Sequence, residues 1–351
     1  GVVGGMRQAG MRSVGRELLR LAVLLAAMAL LAGCGGGSGE GGSGAGGAGA
    51  GQNGAASEDG ADGRVDGIPG VVTSIYPLYF LASEIGGERA GVTNLVPTGV
   101  EPHDWTPKSR DLVRISRADL FLHSGAGFEG WTRELLDGIE ADSDVIVMAA
   151  SEGIELIPLD GESEAHEEDR GHAGGHHEHE GNVDPHVWVS PKSMLRMAEN
   201  VRDALIAAAP ENAAVYEANY EALAGRLRAL DEAYERELAG LPRRDIVVSH
   251  RAFAYLCRDY GLNQIAVMGL APEEEPKAQD LKRIVELVRE SGIRYIFFEE
   301  LVSDRLARTL ASEAGAETLV LNPVEGLTPE QEANGDDYVT IMEMNLQNLK
   351  K

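Results

Sequence analysis

A chain of 351 residues that is 43% hydrophobic and 25% charged can bury a full core, of a size that two domains share. That composition excludes a disordered protein. A formal net charge of −26 excludes a nucleic-acid surface, because an acidic exterior repels phosphate.

Residues 1–33 stand apart from the rest. Arg7, Arg12, Arg16 and Arg20 precede LAVLLAAMALLAG, thirteen apolar or small residues. The run is shorter than the roughly 20 residues of a membrane helix and has the basic-then-apolar order of a secretory signal. It ends Leu31-Ala32-Gly33-Cys34, which resembles a bacterial lipobox and implies cleavage before Cys34 and lipidation of its thiol. Losing four Arg and one Glu with residues 1–33 takes the net charge to −29, an acidity that suits a cation-handling protein. With Cys34 lipidated, Cys257 has no intramolecular partner, so a disulfide framework is excluded. Cys257 in RAFAYLCRDYG reads as core packing. Residues 34–67 are Gly, Ser, Ala and a few acids, a flexible tether behind the anchor.

From about Ile68 two blocks alternate strand-like and helix-like segments. VVTSIY (71–76), TNLVP (93–97), ADLFLH (118–123) and DVIVMA (144–149) are β-rich runs of the first; DIVVSH (245–250), QIAVMG (264–269), RYIFFE (294–299) and TLVLNP (318–323) are those of the second. The alternation predicts an α/β fold of two parallel-sheet lobes, residues 68–190 and 242–351. Between them, residues 191–241 predict two amphipathic helices divided at Pro210. The second, of about 30 residues or roughly 45 Å, is a rigid connector.

Three histidines fall where ligands collect. His103 in VEPHDW and His186 in VDPHVW sit in loops behind a proline that fixes φ, and His250 ends the run DIVVSH. Ligands of an open α/β sheet gather beyond the carboxyl ends of its strands, so the three, 83 and 64 residues apart, can meet in a cleft between the lobes. Three neutral imidazoles with one carboxylate make a four-coordinate site suited to Zn²⁺.

These segments resemble the zinc-binding branch of the metal-binding lipoproteins of ABC transporters, a family that also includes manganese receptors. GVEPHDWTPKSRDLVRISRADLFLHSGAGFEGW, DPHVWVSP, VVSHRAFAYLCRDYGL and IFFEELVSDRLARTLASEAGAETLVLNPVEGL carry the likeness, which spans nearly everything from Val71 onward. The resemblance implies lobes that close on one metal ion and pass it to a membrane permease served by a cytoplasmic ATPase. It places the first three ligands on His103, His186 and His250, and the fourth on Glu325. Water, Glu299 and Glu300 are the alternatives for that fourth place. A histidine at position 250, where manganese receptors tend to have a carboxylate, favours zinc. Asp104 reads as a helper or a solvated loop residue, and His123 as structural.

The segment GESEAHEEDRGHAGGHHEHEG (161–181) holds five histidines and seven acids among glycines. Such a run lacks the apolar residues to fix a cage. Its His166, His172, His176, His177 and His179 are expected to capture metal weakly, as a similar loop does in the zinc branch. The sequence as a whole reads as an extracytoplasmic, membrane-anchored, monomeric zinc-binding protein that is not an enzyme. A manganese receptor or a surface adhesin on the same fold are the alternatives. A zinc hydrolase is a weaker one, since no HExxH motif is present.

Overall fold

The computed structural model describes residues 68–139, 144–159, 183–272 and 276–351. In the N-terminal lobe β1 (Gly70–Thr73), β2 (Gly91–Asn94), β3 (Leu120–His123) and β4 (Ile146–Ala149) alternate with helices α1 (Tyr76–Gly86), α2 (Ser109–Ser116) and α3 (Thr132–Ile139). Two connecting helices follow, α4 (Pro191–Ala208) and α5 (Ala213–Leu238). The C-terminal lobe repeats the alternation with β5 (Asp245–Val248), β6 (Asn263–Ala266), β7 (Tyr295–Phe298) and β8 (Glu317–Val320) and helices α6 (Ala254–Tyr260), α7 (Ala278–Ser291) and α8 (Arg305–Ala314). The short α9 (Pro329–Asn334) and α10 (Tyr338–Leu349) end the chain.

Both sheets are parallel throughout and share one topology, β2-β1-β3-β4 and β6-β5-β7-β8. Parallel neighbours need a crossover, which the intervening helices supply. In each sheet the chain reverses its direction of growth between the first strand and the third. Crevices at such switch points, beyond the carboxyl ends of the strands, are where open α/β sheets take ligands. The helices of the C-terminal lobe stop cleanly because α6, α7 and α8 each run into a glycine in the left-handed region, Gly261, Gly292 and Gly315, a conformation that costs other residues a Cβ clash.

Every strand is shorter than its apolar run. β8 pairs only Glu317–Val320, yet Leu321 and Val324 beyond it are buried, and Tyr76 at the end of the first run already opens α1. The reason is burial: the loops on the cleft side lie inside the molecule, so apolar character continues where pairing has stopped. Cys257 in α6 is buried, and burial pushes its thiol up to about 12, as suits an inert core group.

One apolar cluster runs through both lobes, from Val71 and Leu120 through α4 and α5 to Leu346 and Leu349. α5 is its axis. Its buried residues Tyr216, Tyr220, Leu223, Leu227, Leu230, Tyr234 and Leu238 recur every three or four positions and make one face. Tyr216 Oη donates to the Arg89 carbonyl at 2.7 Å in the first lobe, and Tyr234 Oη to the Met342 carbonyl at 2.7 Å in the second. The helix has 26 residues rather than about 30, because Pro210–Asn212 forms a 3₁₀ turn ahead of it; at 1.5 Å per residue it is about 39 Å long. Leu227→Ala, which empties the middle of this buried face, is expected to lower unfolding free energy by about 2–5 kcal/mol. Glu221→Ala on the exposed side should stay within about 0.5 kcal/mol, and urea unfolding of the two variants measures the contrast.

Candidate metal centre

Four loops deliver one side chain each to the cleft. His103 comes from the β2–α2 loop, held at its start by Pro102, whose carbonyl accepts from Trp105 N–H at 3.2 Å. His186 precedes a 3₁₀ turn at Val187–Val189. His250 lies two residues past β5 and Glu325 five past β8. His186, His250 and Glu325 are buried, and the His103 side chain keeps 11% of its surface exposed, which makes it the ligand face nearest solvent.

The atoms these residues present are three Nε2 and one carboxylate oxygen. Glu325 Oε1 lies 3.4 Å from His103 Nε2, 3.4 Å from His186 Nε2 and 3.5 Å from His250 Nε2. His186 Nε2 is 3.2 Å from His103 Nε2, and the four donors all fall within 4.8 Å of one another. A tetrahedron's edge is about 1.6 times its centre-to-corner length, so zinc bonds of roughly 2.0–2.2 Å set ligands about 3.3–3.6 Å apart. The observed spacing is that of a coordination shell. The three contacts of Glu325 Oε1 are long for hydrogen bonds, and His250 Nε2 and Glu325 Oε1 have no hydrogen-bond partner. Buried polar atoms normally find partners; a metal supplies one to both.

The remaining ring nitrogens are already engaged. Asp184 Oδ1 accepts from the His186 backbone N–H at 2.9 Å and faces its Nδ1 at 2.9 Å, so Pro185 and the aspartate lock loop and ring together. Glu299 Oε1 faces His250 Nδ1 at 2.6 Å and accepts from Ser249 Oγ. Both pairings hold the proton on Nδ1 and leave Nε2 to a metal. Glu299 therefore stands behind His250 instead of in the fourth position. Glu300 is turned away, accepting from Asn322 Nδ2 at 2.8 Å and Gln331 Nε2 at 2.7 Å.

Glu325 is aimed by a strained turn. Val324 adopts φ 58, a left-handed conformation unfavourable to a β-branched residue. Its N–H donates to Asn322 Oδ1 at 2.7 Å, while Asn345 of α10 clamps Asn322 by accepting from its N–H at 2.8 Å and donating to its carbonyl at 2.7 Å.

A profile of the zinc-uptake complex component A, periplasmic, the ZnuA family, matches residues 71–351. The chain belongs to the ZnuA family. It is 39% identical over 291 residues to the zinc-binding lipoprotein AdcA of Streptococcus pneumoniae serotype 4, covering 83% of this chain and 56% of that protein. It is 35% identical over 301 residues to the high-affinity zinc uptake system protein ZnuA of Bacillus subtilis, covering 84% and 90%. The chain thus spans little more than half the length of the AdcA relative. Among solved structures, the Zn(II)-bound ZnuA-like domain of S. pneumoniae AdcA superposes with a TM-score of 0.68 at 37% identity, over 81% of this chain and 98% of that one. The laminin-binding protein Lmb of Streptococcus agalactiae, described as a bifunctional protein with adhesin and metal-transporting activity, gives 0.69 at 28% identity over 81% and 98%.

Two residues that support this ZnuA-family centre escape a histidine-first reading of the sequence. Its place two positions before His186 in VDPHVW is the signal that could have found Asp184. Nothing local singles out Glu299, because the adjacent carboxylate Glu300 carries the same chemistry. Asp104 is exposed and only donates its N–H to Glu101 Oε2. His123 ends β3 against Phe121, with ring centroids 5.9 Å apart, and takes no part in the cluster. The five histidines of segment 161–181 and Cys34 lie outside the described residues.

Electrostatics prepare the metal-free centre. Burial pulls the His250 imidazole down, but Glu299 and then Glu325 outweigh it and hold the ring well above its ordinary value. Burial and Glu325 oppose each other at His103 in the same way, with a net rise. Burial dominates at fully enclosed His186, which is lowered despite Asp184. Glu325 is pushed up by burial yet ends well below the carboxylate range because His103 and His250 face it.

A raised histidine stabilises the fold below its unfolded value of about 6.5 and loses that contribution as pH rises through the folded value. A depressed glutamate stabilises above about 4.5 and loses it as pH falls through the folded value. His103, His250 and Glu325 thus support the fold best between these two limits, whereas His186, lowered by burial, contributes above about 6.5 and loses that as pH falls. Metal must expel the Nε2 protons, so binding is expected to release about one to two protons per ion near neutral pH and to weaken on acidification. Calorimetry in buffers of different ionisation enthalpy counts the protons.

Proposed function

We propose that this protein captures one Zn²⁺ between its two lobes and delivers it to an ABC permease for uptake, acting as a binding component and not as an enzyme. The observation that carries the reading is the set of three imidazole nitrogens and one carboxylate oxygen at coordination-shell spacing, two of them buried with no other partner. The donor set selects the ion. Three borderline-soft nitrogens in a four-coordinate shell suit zinc, whereas manganese favours six ligands rich in oxygen. The names of the similar AdcA and ZnuA proteins support the same cargo.

In this reading Glu325, His103, His186 and His250 are the four ligands, Asp184 and Glu299 orient two of the rings, and the histidines of segment 161–181 collect metal beside the centre. Cys34 carries the lipid anchor, residues 34–67 form the tether, and the protein works as a monomer outside the cytoplasm. Residues 68–190 and 242–351 form the lobes, joined through 191–241. Among the described residues no helix is long and apolar enough to cross a membrane. Adhesion is a second reading, favoured by the likeness to Lmb.

His103→Ala, His186→Ala and His250→Ala are each expected to weaken zinc by two orders of magnitude or more, roughly 3 kcal/mol. Glu325→Ala should do less harm, because water can take a fourth position. Competition with a chromophoric chelator measures both, and unchanged affinity in two of the histidine variants refutes the assignment.

Deleting residues 162–180 should remove weak zinc equivalents and spare one tight site. Calorimetry reads both at once, and loss of the tight site would mean that the segment supplies a ligand.

Because zinc bridges elements from both lobes, free metal a thousandfold above Kd should stabilise the fold by about 4 kcal/mol. A melting temperature indifferent to zinc and chelator at pH 7.5 contradicts the interlobe site.

A further inference from the structure

Beside His103, on the N-terminal lobe, lies a cavity of about 220 Å³ that none of the other three residues of the cluster lines. Its walls are aromatic: Trp105, Phe128 and Trp131 line it, with the two indoles edge to face at 5.8 Å. One acid also lines it. Glu129 is only 5% exposed, and its Oε1 accepts from Ser74 Oγ and, at 2.7 Å, from Ser124 N–H. Its Oε2 is buried and has no hydrogen-bond partner. A carboxylate oxygen enclosed without a partner is costly, and because this oxygen is closed to solvent, a positive charge in the adjoining cavity offsets that cost through space and not by contact.

We propose that this cavity is a second binding site, for a small organic cation of the guanidinium or alkylammonium class. The choice follows from the donors. Calcium or magnesium needs about six oxygen ligands and zinc four nitrogen, sulfur or oxygen ligands, and a single carboxylate among aromatic rings falls short of either. A positively charged organic group finds a buried anion close by and aromatic rings around it for cation–π attraction. Chain geometry holds the wall in place. Gly125, Ala126 and Gly127 all adopt positive φ, 79, 53 and 80, and Phe128 and Glu129 follow that turn, while the hydrogen bonds from Ser74 and Ser124 to Glu129 tie the loop to the ends of β1 and β3. His103 borders the cavity as well, so an occupant sits next to one residue of the cluster.

The test is a titration of the protein with methylguanidinium in the presence of chelator, so that no metal enters either arm and the result is independent of the zinc reading. Tryptophan emission is the readout, since two of the three tryptophans line the cavity. A saturable change is expected with methylguanidinium, and none with methylurea, its neutral counterpart of the same shape, or with matched sodium chloride. Glu129→Gln keeps a carbonyl oxygen for Ser74 and Ser124 but loses the charge, and should weaken the cation at least about tenfold while leaving tight zinc binding in place. If that variant does not fold, Trp131→Leu decides, and it should also weaken the cation. Identical responses to methylguanidinium and methylurea overturn the site, as does undiminished binding in a folded variant.

Discussion

The structure depends on bringing four donor atoms, three of them on buried side chains, to within 3.2–3.5 Å of a neighbour. Such a cluster is unfavourable on its own terms: it encloses a carboxylate and three imidazoles, two of whose atoms lack a partner. Its charges offset one another. His103 and His250 draw Glu325 well below the carboxylate range, and Glu325, with Glu299 for His250, raises those two rings above their ordinary value. The same arrangement makes the centre responsive, since a divalent ion replaces protons and leaves the donors in place.

Holding donors from four separate loops requires a frame that does not flex between them. One core shared by both lobes, with α5 as its axis, meets that need. Hydrogen bonds tie the lobes close to the centre as well. Trp188, two residues past His186, donates Nε1–H to the Pro323 carbonyl at 2.8 Å, two residues before Glu325, and its own carbonyl accepts from Tyr338 Oη at 2.7 Å. Tyr255 Oη donates to the Asp184 carbonyl at 2.7 Å. The loop bearing His186 is therefore fixed from the C-terminal lobe, and a shift of one lobe against the other is felt directly at the cluster.

The lobes share more than strand order. After the first strand of each sheet a serine donates to a glutamate that follows the third strand, Ser74 to Glu129 and Ser249 to Glu299. The lobes then diverge by one residue. After Ser249 comes His250, and Glu299 turns its carboxylate to that ring. After Ser74 comes Ile75, no ring is present, and Glu129 keeps one oxygen unpaired beside an aromatic cavity. One local device thus orients His250 of the His/Glu cluster in one lobe and borders a separate cavity in the other.

Much of this was legible in the sequence. Alternating apolar runs and amphipathic segments determine two parallel βα lobes, because period and length are local properties of the chain. Proline before His103 and His186, and the strand ahead of His250, mark these residues as held at loop positions, and Glu325 was reached through the resemblance of LNPVEGL. Tertiary structure decided what local pattern leaves open. Strands stop at four residues because buried loops continue the apolar runs. Glu299 and Glu300 are neighbours of identical chemistry, and only the packing of β7 beside β5 sends the first to His250 Nδ1 and the second to Asn322 and Gln331. Which lone pairs meet depends on side-chain directions from segments up to 222 positions apart, His103 and Glu325, and that relation exists only once the core has closed.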